Sequence, residues 1–248
     1  MVQRLAQNPR RMRLGDQVAD LLLAAIRLHE YLPGQRLPSE RELCLRLGVN
    51  RMAVREGLRW LEHERYVEIR RGKYGGAFVC HPVRELALER LRGRAEQLRQ
   101  LFEYRGAIEP FAAALAADRI TGGEVDRLRG LAAGEAHEPA RFKRRALDVE
   151  FHQVIADASR NELVSSAVRE IRVQLALGLD LIPESPIRRE ESHAEHVAII
   201  KALAAANSSL ARRAMQRHVV ATEKAIRGSL VDLSVREELH GAGQEEAG

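Results

Sequence analysis

The chain has 248 residues, room for one large domain or two smaller ones. Hydrophobic residues make up 45% and charged residues 30%, enough of each for a soluble core and too even a mixture for a membrane span, since no apolar run nears 18 residues. The net charge of +5 favours an acidic partner, and Cys44 and Cys80, which form no CxxC pair, support neither a zinc ribbon nor a disulfide framework. The arginines near the start (Arg4, Arg10, Arg11, Arg13) are followed by no apolar stretch, so they do not read as a signal peptide, and a cytoplasmic location is expected.

In chain order, residues 1–13 read as a loose basic arm. From Leu14 to His29, Val18, Leu21, Leu22, Ala25 and Ile26 recur at helical spacing, until Pro33-Gly34 stops the helix. Ser39 with Glu42 three residues on forms a capping box that opens a short helix ending at Gly48. Asn50 caps a third helix, in which Val54, Leu58 and Leu61 form one face. Arg51, Arg55 and Arg59, four apart, share the other face. Val67 to Arg70 alternates like a strand, Arg71 to Gly76 is a glycine-rich turn, and Ala77 to Val79 is a second strand. Residues 81–93 read as a linker, 94–232 as six or seven helices, and 233–248 as a disordered tail. The expected fold class is mainly α. A winged helix-turn-helix with a small β-hairpin wing over residues 14–80 precedes an all-helical bundle.

Two helices joined by a turn and followed by a basic hairpin suit DNA binding. The third helix then enters the major groove, with Arg51, Met52 and Arg55 nearest the bases, and Arg70, Arg71 and Lys73 around Gly72 approach the backbone or minor groove. The segments Leu37-Pro38-Ser39-Glu40-Arg41-Glu42-Leu43, Leu47-Gly48-Val49-Asn50-Arg51 and Val54-Arg55-Glu56-Gly57-Leu58 resemble the GntR family of bacterial regulators. The resemblance implies that Arg41 contacts phosphate, that Arg51 reads a base, and that Arg55 and the wing glycine Gly72 also reach DNA. This chain departs from the family pattern at Asn50 and Met52, where Ser or Thr and Thr are usual, and at Ala53, where Pro or Thr is usual. Hydroxyl contacts to phosphate are lost, and Met52 is suited to a thymine methyl, so a different operator is expected.

In the helical half, Asp148 and His152 are four apart and point the same way, so a carboxylate and an imidazole can hold one metal ion. His196 borders an apolar face and His218 lies on the inward side of the last helix. Each also fits a hydrogen-bonded core residue, and Asp148 could instead pair with Arg144 or Arg145. This half resembles the FCD effector domain of the FadR-type branch of the same family. The resemblance is carried by Asp148 to His152, by Glu195-His196-Val197-Ala198-Ile199-Ile200-Lys201-Ala202-Leu203, and by Ala211 to His218. It implies that Asp148, His152, His196 and His218 are the ligands of a divalent metal, with Zn, Ni and Mn all suited to such donors. Arg105, in Arg105-Gly106-Ala107-Ile108-Glu109, either faces the effector or pairs with Glu109.

The expected function is a transcription regulator, a repressor by resemblance. Its affinity for double-stranded, near-palindromic operator DNA responds to a small carboxylate or sugar-acid effector, and it acts as a homodimer. The alternatives are a metal-dependent hydrolase and a metal-free organic-acid sensor. Against the hydrolase, no HExxH or GxSxG occurs, and Glu150 points away from the Asp148–His152 face.

Overall fold

The computed structural model describes residues 13–81, 84–91 and 94–245, with only the backbone described for 84–85 and 232–245. The chain divides into two compact units, residues 1–81 and 82–248. The basic arm expected over 1–13 lies outside the described residues apart from Arg13.

The first unit contains α1 (Leu14–Arg27), α2 (Glu40–Leu47), α3 (Arg51–His63), β1 (Val67–Arg70) and β2 (Gly76–Val79). Local chemistry sets these boundaries. Glu42 N donates to Ser39 Oγ at 3.3 Å while Ser39 N donates to Glu42 Oε2 at 2.7 Å, so the reciprocal cap that opens α2 is formed. Gly48, at φ 65°, ends α2 in the left-handed region that a side chain would resist. Asn50 Oδ1 accepts from Ala53 N at 2.8 Å and starts α3. The strands pair antiparallel in the register Val67↔Val79 to Arg70↔Gly76.

The apolar faces of all three helices meet the hairpin in one core that includes Val18, Leu22, Leu43, Val54, Leu61, Val67 and Val79, with Cys44 packed beside it. α3 lies against α1 at Gly57. A Cβ there would stand 2.8 Å from Val18 Cγ1 and 3.0 Å from Ala19 N, so only glycine allows this approach. That packing turns the arginine face of α3 outward.

The second unit is all helical: α4 (Arg84–Leu91), α5 (Ala95–Ala117), α6 (Gly122–His137), α7 (Arg141–Ala158), α8 (Glu162–Leu181), α9 (Pro186–Ala204) and α10 (Ser208–Glu245). Its main core joins α5, α6, α7, α9 and α10 through Ala116, Leu128, Phe151, Ile155, Ile199, Leu203 and Met215. Phe151 and Ile155 are each 1% exposed. Full burial of such side chains is worth roughly 1.5–3 kcal/mol apiece. A second cluster packs Leu98 and Phe102 of α5 against Ile171 and Leu175 of α8 and Ile226 of α10.

Two expectations require correction. The segment 81–93, read as a linker, contains α4, whose Ala87 and Leu88 are buried against Leu181. Eight residues give too short a window for periodicity to separate a helix from a linker. The tail expected from 233 is helical as far as Glu245. There the residues Val235-Arg236-Glu237-Glu238-Leu239 are good helix formers, which outweighed the glycines that follow.

Candidate functional site

On the first unit, Arg36, Arg41, Arg51, Arg55, Arg59 and Arg70 line a groove between the helices and the hairpin. Met52 is 68% exposed, and Arg71, Gly72 and Lys73 are all exposed at the hairpin turn. Asn50 is exposed too, with its Oδ1 already engaged as the α3 cap. Glu40 is the acidic residue in this groove. Its carboxylate accepts from Arg51 Nε at 2.7 Å and from Arg55 Nε at 3.1 Å. The Arg51 guanidinium, with Arg55 beside it, holds the Glu40 carboxyl below its ordinary range. Sequence reasoning missed Glu40, because its partners lie across the turn, and Arg36, which enters through a bridge to Phe78.

On the second unit, three helices bring together the four residues expected to converge. Asp148 and His152 come from α7, His196 from α9 and His218 from α10, and all four are buried. One ligand atom from each lies within 4.8 Å of the other three. His152 Nε2 is 3.1 Å from His218 Nε2, and Asp148 Oδ1 is 3.6 Å from both His152 Nε2 and His196 Nε2. Donors about 2.0–2.1 Å from one cation stand about 3 Å apart, so these spacings suit a shared ion.

Each imidazole is backed by a glutamate on its far nitrogen. His152 Nδ1 lies 2.7 Å from Glu109, His196 Nδ1 2.9 Å from Glu135 and His218 Nδ1 2.8 Å from Glu195. His218 Nδ1 is hydrogen-bonded to Glu195, while the carboxylates beside His152 Nδ1 and His196 Nδ1 stand in ion-pair range outside hydrogen-bond geometry; carboxylates so placed favour a proton on Nδ1 and leave Nε2 facing inward. The two facing Nε2 atoms of His152 and His218, 3.1 Å apart, bond to each other only when one ring carries its proton there; a cation held by both satisfies them with the far nitrogens protonated instead. His196 Nε2 is buried with no hydrogen-bond partner. The donor set therefore fits a divalent cation.

Arginines hold the acidic members of the cluster. Arg172 of α8 donates to Asp148 Oδ2, so the partner of Asp148 is neither Arg144 nor Arg145. Burial would raise the Asp148 carboxyl, but the Arg172 guanidinium outweighs it and holds the group well below its ordinary value. Burial would likewise raise Glu109, and Arg105 outweighs it. Burial pushes His218 down to about 3, which keeps its imidazole neutral and ready as a ligand. For His152 burial works against the charged form, yet the Glu109 carboxylate prevails and raises it.

Arg105 is fully buried, and its Nε donates to Glu109 Oε1 at 2.8 Å. The pairing weighed in the sequence is thus formed. Its Nη1 and Nη2 have no hydrogen-bond partner among the described residues.

A cavity of about 90 Å³ adjoins the cluster, with Asp148, Arg172 and His218 in its wall. That is room for roughly six to nine water-sized positions, the scale of a small organic acid. Arg105 is not among the residues lining it. Glu150 lies outside as well, paired with Arg127 at 2.7 Å. His193, three residues before His196, is not in the cluster and contacts the Ala132 carbonyl at 3.2 Å.

Comparison with known proteins covers both units. The family model described as "Bacterial regulatory proteins, gntR family" matches residues 14–79, and the FCD domain model matches residues 100–221. An HTH-type transcriptional regulator of Mycobacterium tuberculosis is 32% identical over 169 residues, 66% of this chain and 69% of its own. An Escherichia coli K12 protein named for regulating an L-lactate dehydrogenase operon is 30% identical, with 84% of each chain covered. The transcriptional repressor NanR of Cronobacter sakazakii is also 30% identical, again over 84% of each. Among solved structures, Escherichia coli McbR/YncC shares the fold at a TM-score of 0.52 and 20% identity, covering 86% of this chain and 98% of that one. No described helix is long and apolar enough to cross a membrane.

Proposed function

Because the chain belongs to the GntR family of bacterial regulatory proteins and carries an FCD domain, and so is a DNA-binding transcriptional regulator rather than an enzyme, we propose that its operator affinity is set by a small carboxylate effector bound beside a divalent cation in the helical unit. One observation carries this reading: Asp148 and three histidines, each with a glutamate near its far nitrogen, bring one ligand atom apiece within 4.8 Å of one another in a buried site where His196 Nε2 has no hydrogen-bond partner. Asp148, His152, His196 and His218 hold the cation. When bound, it supplies a charge and open coordination positions that draw a carboxylate. Zinc, nickel and manganese all suit the donor set. Arg105 lies outside the cavity wall, and its two unpartnered guanidinium nitrogens grip an acid that reaches past the cluster to them. Repressor-named relatives support repression relieved by effector.

In the DNA-binding unit, Arg51, Met52 and Arg55 read bases. Arg41, Asn50, Arg71, Gly72 and Lys73 meet the backbone. Two heads of a homodimer read two half-sites of a near-palindrome. Glu40 orients Arg51 and Arg55 and neutralises part of their charge. Glu40→Gln is expected to tighten binding to unrelated DNA several-fold and to narrow the gap between operator and unrelated DNA. Fluorescence anisotropy at fixed salt checks this, and an unchanged gap removes the orienting role.

The effector reading is tested by thermal unfolding of metal-stripped protein, with and without zinc or nickel, across a panel of small carboxylic and sugar acids. A ligand at 100 times its Kd adds about 2.7 kcal/mol, a shift of several degrees. The expected result is stabilisation by an acid only when metal is present. Stabilisation by an acid in fully stripped protein favours the metal-free sensor. No shift with any metal or acid overturns the reading.

A further inference from the structure

The cavity beside the metal-ligand cluster carries more positive charge than a single carboxylate answers. Its wall contains Arg141, Arg144, Arg145, Arg172, Arg188 and Arg189. Three carboxylates face them there: Glu135, Asp148 and Glu184. Most of this acid is already committed. Glu135 backs His196 at 2.9 Å, and Asp148 accepts from Arg172. Glu184 is shared three ways: it accepts from Arg144 and stands 3.6 Å from Arg141 and 3.9 Å from Arg189. Arg188 is satisfied by both oxygens of Glu195, at 3.0 and 3.1 Å.

Arg145 has no carboxylate in ion-pair reach among the described residues. It is held by the Leu179 carbonyl at 2.8 Å, and Arg141 bonds the carbonyls of Leu179, Asp180 and Ile182. These bonds secure the end of α8. Carbonyl groups are dipoles, however, and cancel less of a guanidinium's charge than a directly paired carboxylate; Asp148 and Asp180 act on Arg145 through space without an ion pair. The Nε–H groups of Arg141, Arg172 and Arg189 are buried without a hydrogen-bond partner. Buried donors rarely stay unpaired in a finished structure. An acceptor that brings its own negative charge satisfies both the excess charge and the open donors.

We propose that the effector carries at least two acid groups: one directed at the Asp148–histidine cluster, and a second, carboxylate or phosphate, held by Arg141, Arg145 and Arg189. This rests on the effector reading above and goes beyond it by fixing the ligand's charge. A monocarboxylate leaves the second group of arginines unanswered. A diacid of a few carbons matches both the charge and a cavity of about 90 Å³.

The test is titration calorimetry on the full chain loaded with zinc or nickel, using ligand pairs that differ in one acid group. The pairs are propionate with succinate, L-lactate with malate, and gluconate with glucarate, with 6-phosphogluconate as the phosphate arm. The diacid of at least one pair is expected to bind at least tenfold tighter than its monoacid. Arg189→Gln should shrink that preference below threefold. Arg145→Gln should do the same, and Arg189→Gln keeps the test open should Arg145→Gln disturb the α8 end. Preference for 6-phosphogluconate alone assigns the second group as phosphate, and preference for the dicarboxylates assigns it as carboxylate. If monoacids bind as tightly as diacids, and both are lost in His152→Ala, the effector reading stands and this inference falls. If no acid binds the wild-type chain, both fall.

Discussion

Arg51→Ala is expected to bind its operator scarcely better than unrelated DNA. Arg51 stands at the first turn of α3, 69% exposed and held by Glu40 rather than by the core, so its removal leaves the fold intact and, on the proposed reading, takes away one base contact in each head of a dimer. A bidentate arginine–guanine contact is worth roughly tenfold to a hundredfold in discrimination, and two heads multiply it. Arg41→Ala should behave differently. A phosphate contact carries no sequence information, so binding to all DNA weakens together and the slope of log affinity against log salt falls by about 1. Competition binding at three salt concentrations separates the two variants. Intact operator preference in Arg51→Ala means that α3 is not the reading helix.

His152→Ala is expected to lose divalent metal affinity by more than about a hundredfold, and with it any stabilisation by an acid. The residue is 2% exposed and lies between Asp148 and His218, so no other side chain can take its place. Glu195→Gln is the informative companion. It keeps all four ligands and replaces the carboxylate behind His218 with a weaker acceptor, and such backing partners typically contribute 10- to 100-fold in metal affinity. Chelator competition gives both values. Equal metal uptake by His152→Ala and wild type would mean that the histidine cluster is a packing feature only.

Features set within a few residues were legible in the sequence. The Ser39–Glu42 box, the Gly48 turn and the Asn50 cap each depend on neighbours three or four positions apart, and all three are formed. Asp148 and His152 share a helical face for the same reason. Contacts between helices were not legible. Glu109, Glu135 and Glu195 reach the three imidazoles from α5, α6 and α9; Glu109 and Glu195 stand in segments the sequence singled out, but nothing there pairs any of the three with an imidazole. Arg172 is separated by 24 residues from the Asp148 it holds. Half of the cavity's arginines come from the basic run Arg141-Phe142-Lys143-Arg144-Arg145 that opens α7, but that they meet Arg172 of α8 and Arg188 and Arg189 of α9 in one cavity is a property of the packed helices.

The Glu40 contacts bear on how this head's DNA preference can be redesigned. Arg51 and Arg55 take their aim from a carboxylate on the preceding helix, 11 and 15 residues earlier in the chain. A graft of residues 51–59 alone carries the reading arginines away from the group that steers them. The smallest transferable cassette spans residues 39–59, with the cap, the turn and both helices moved as one piece.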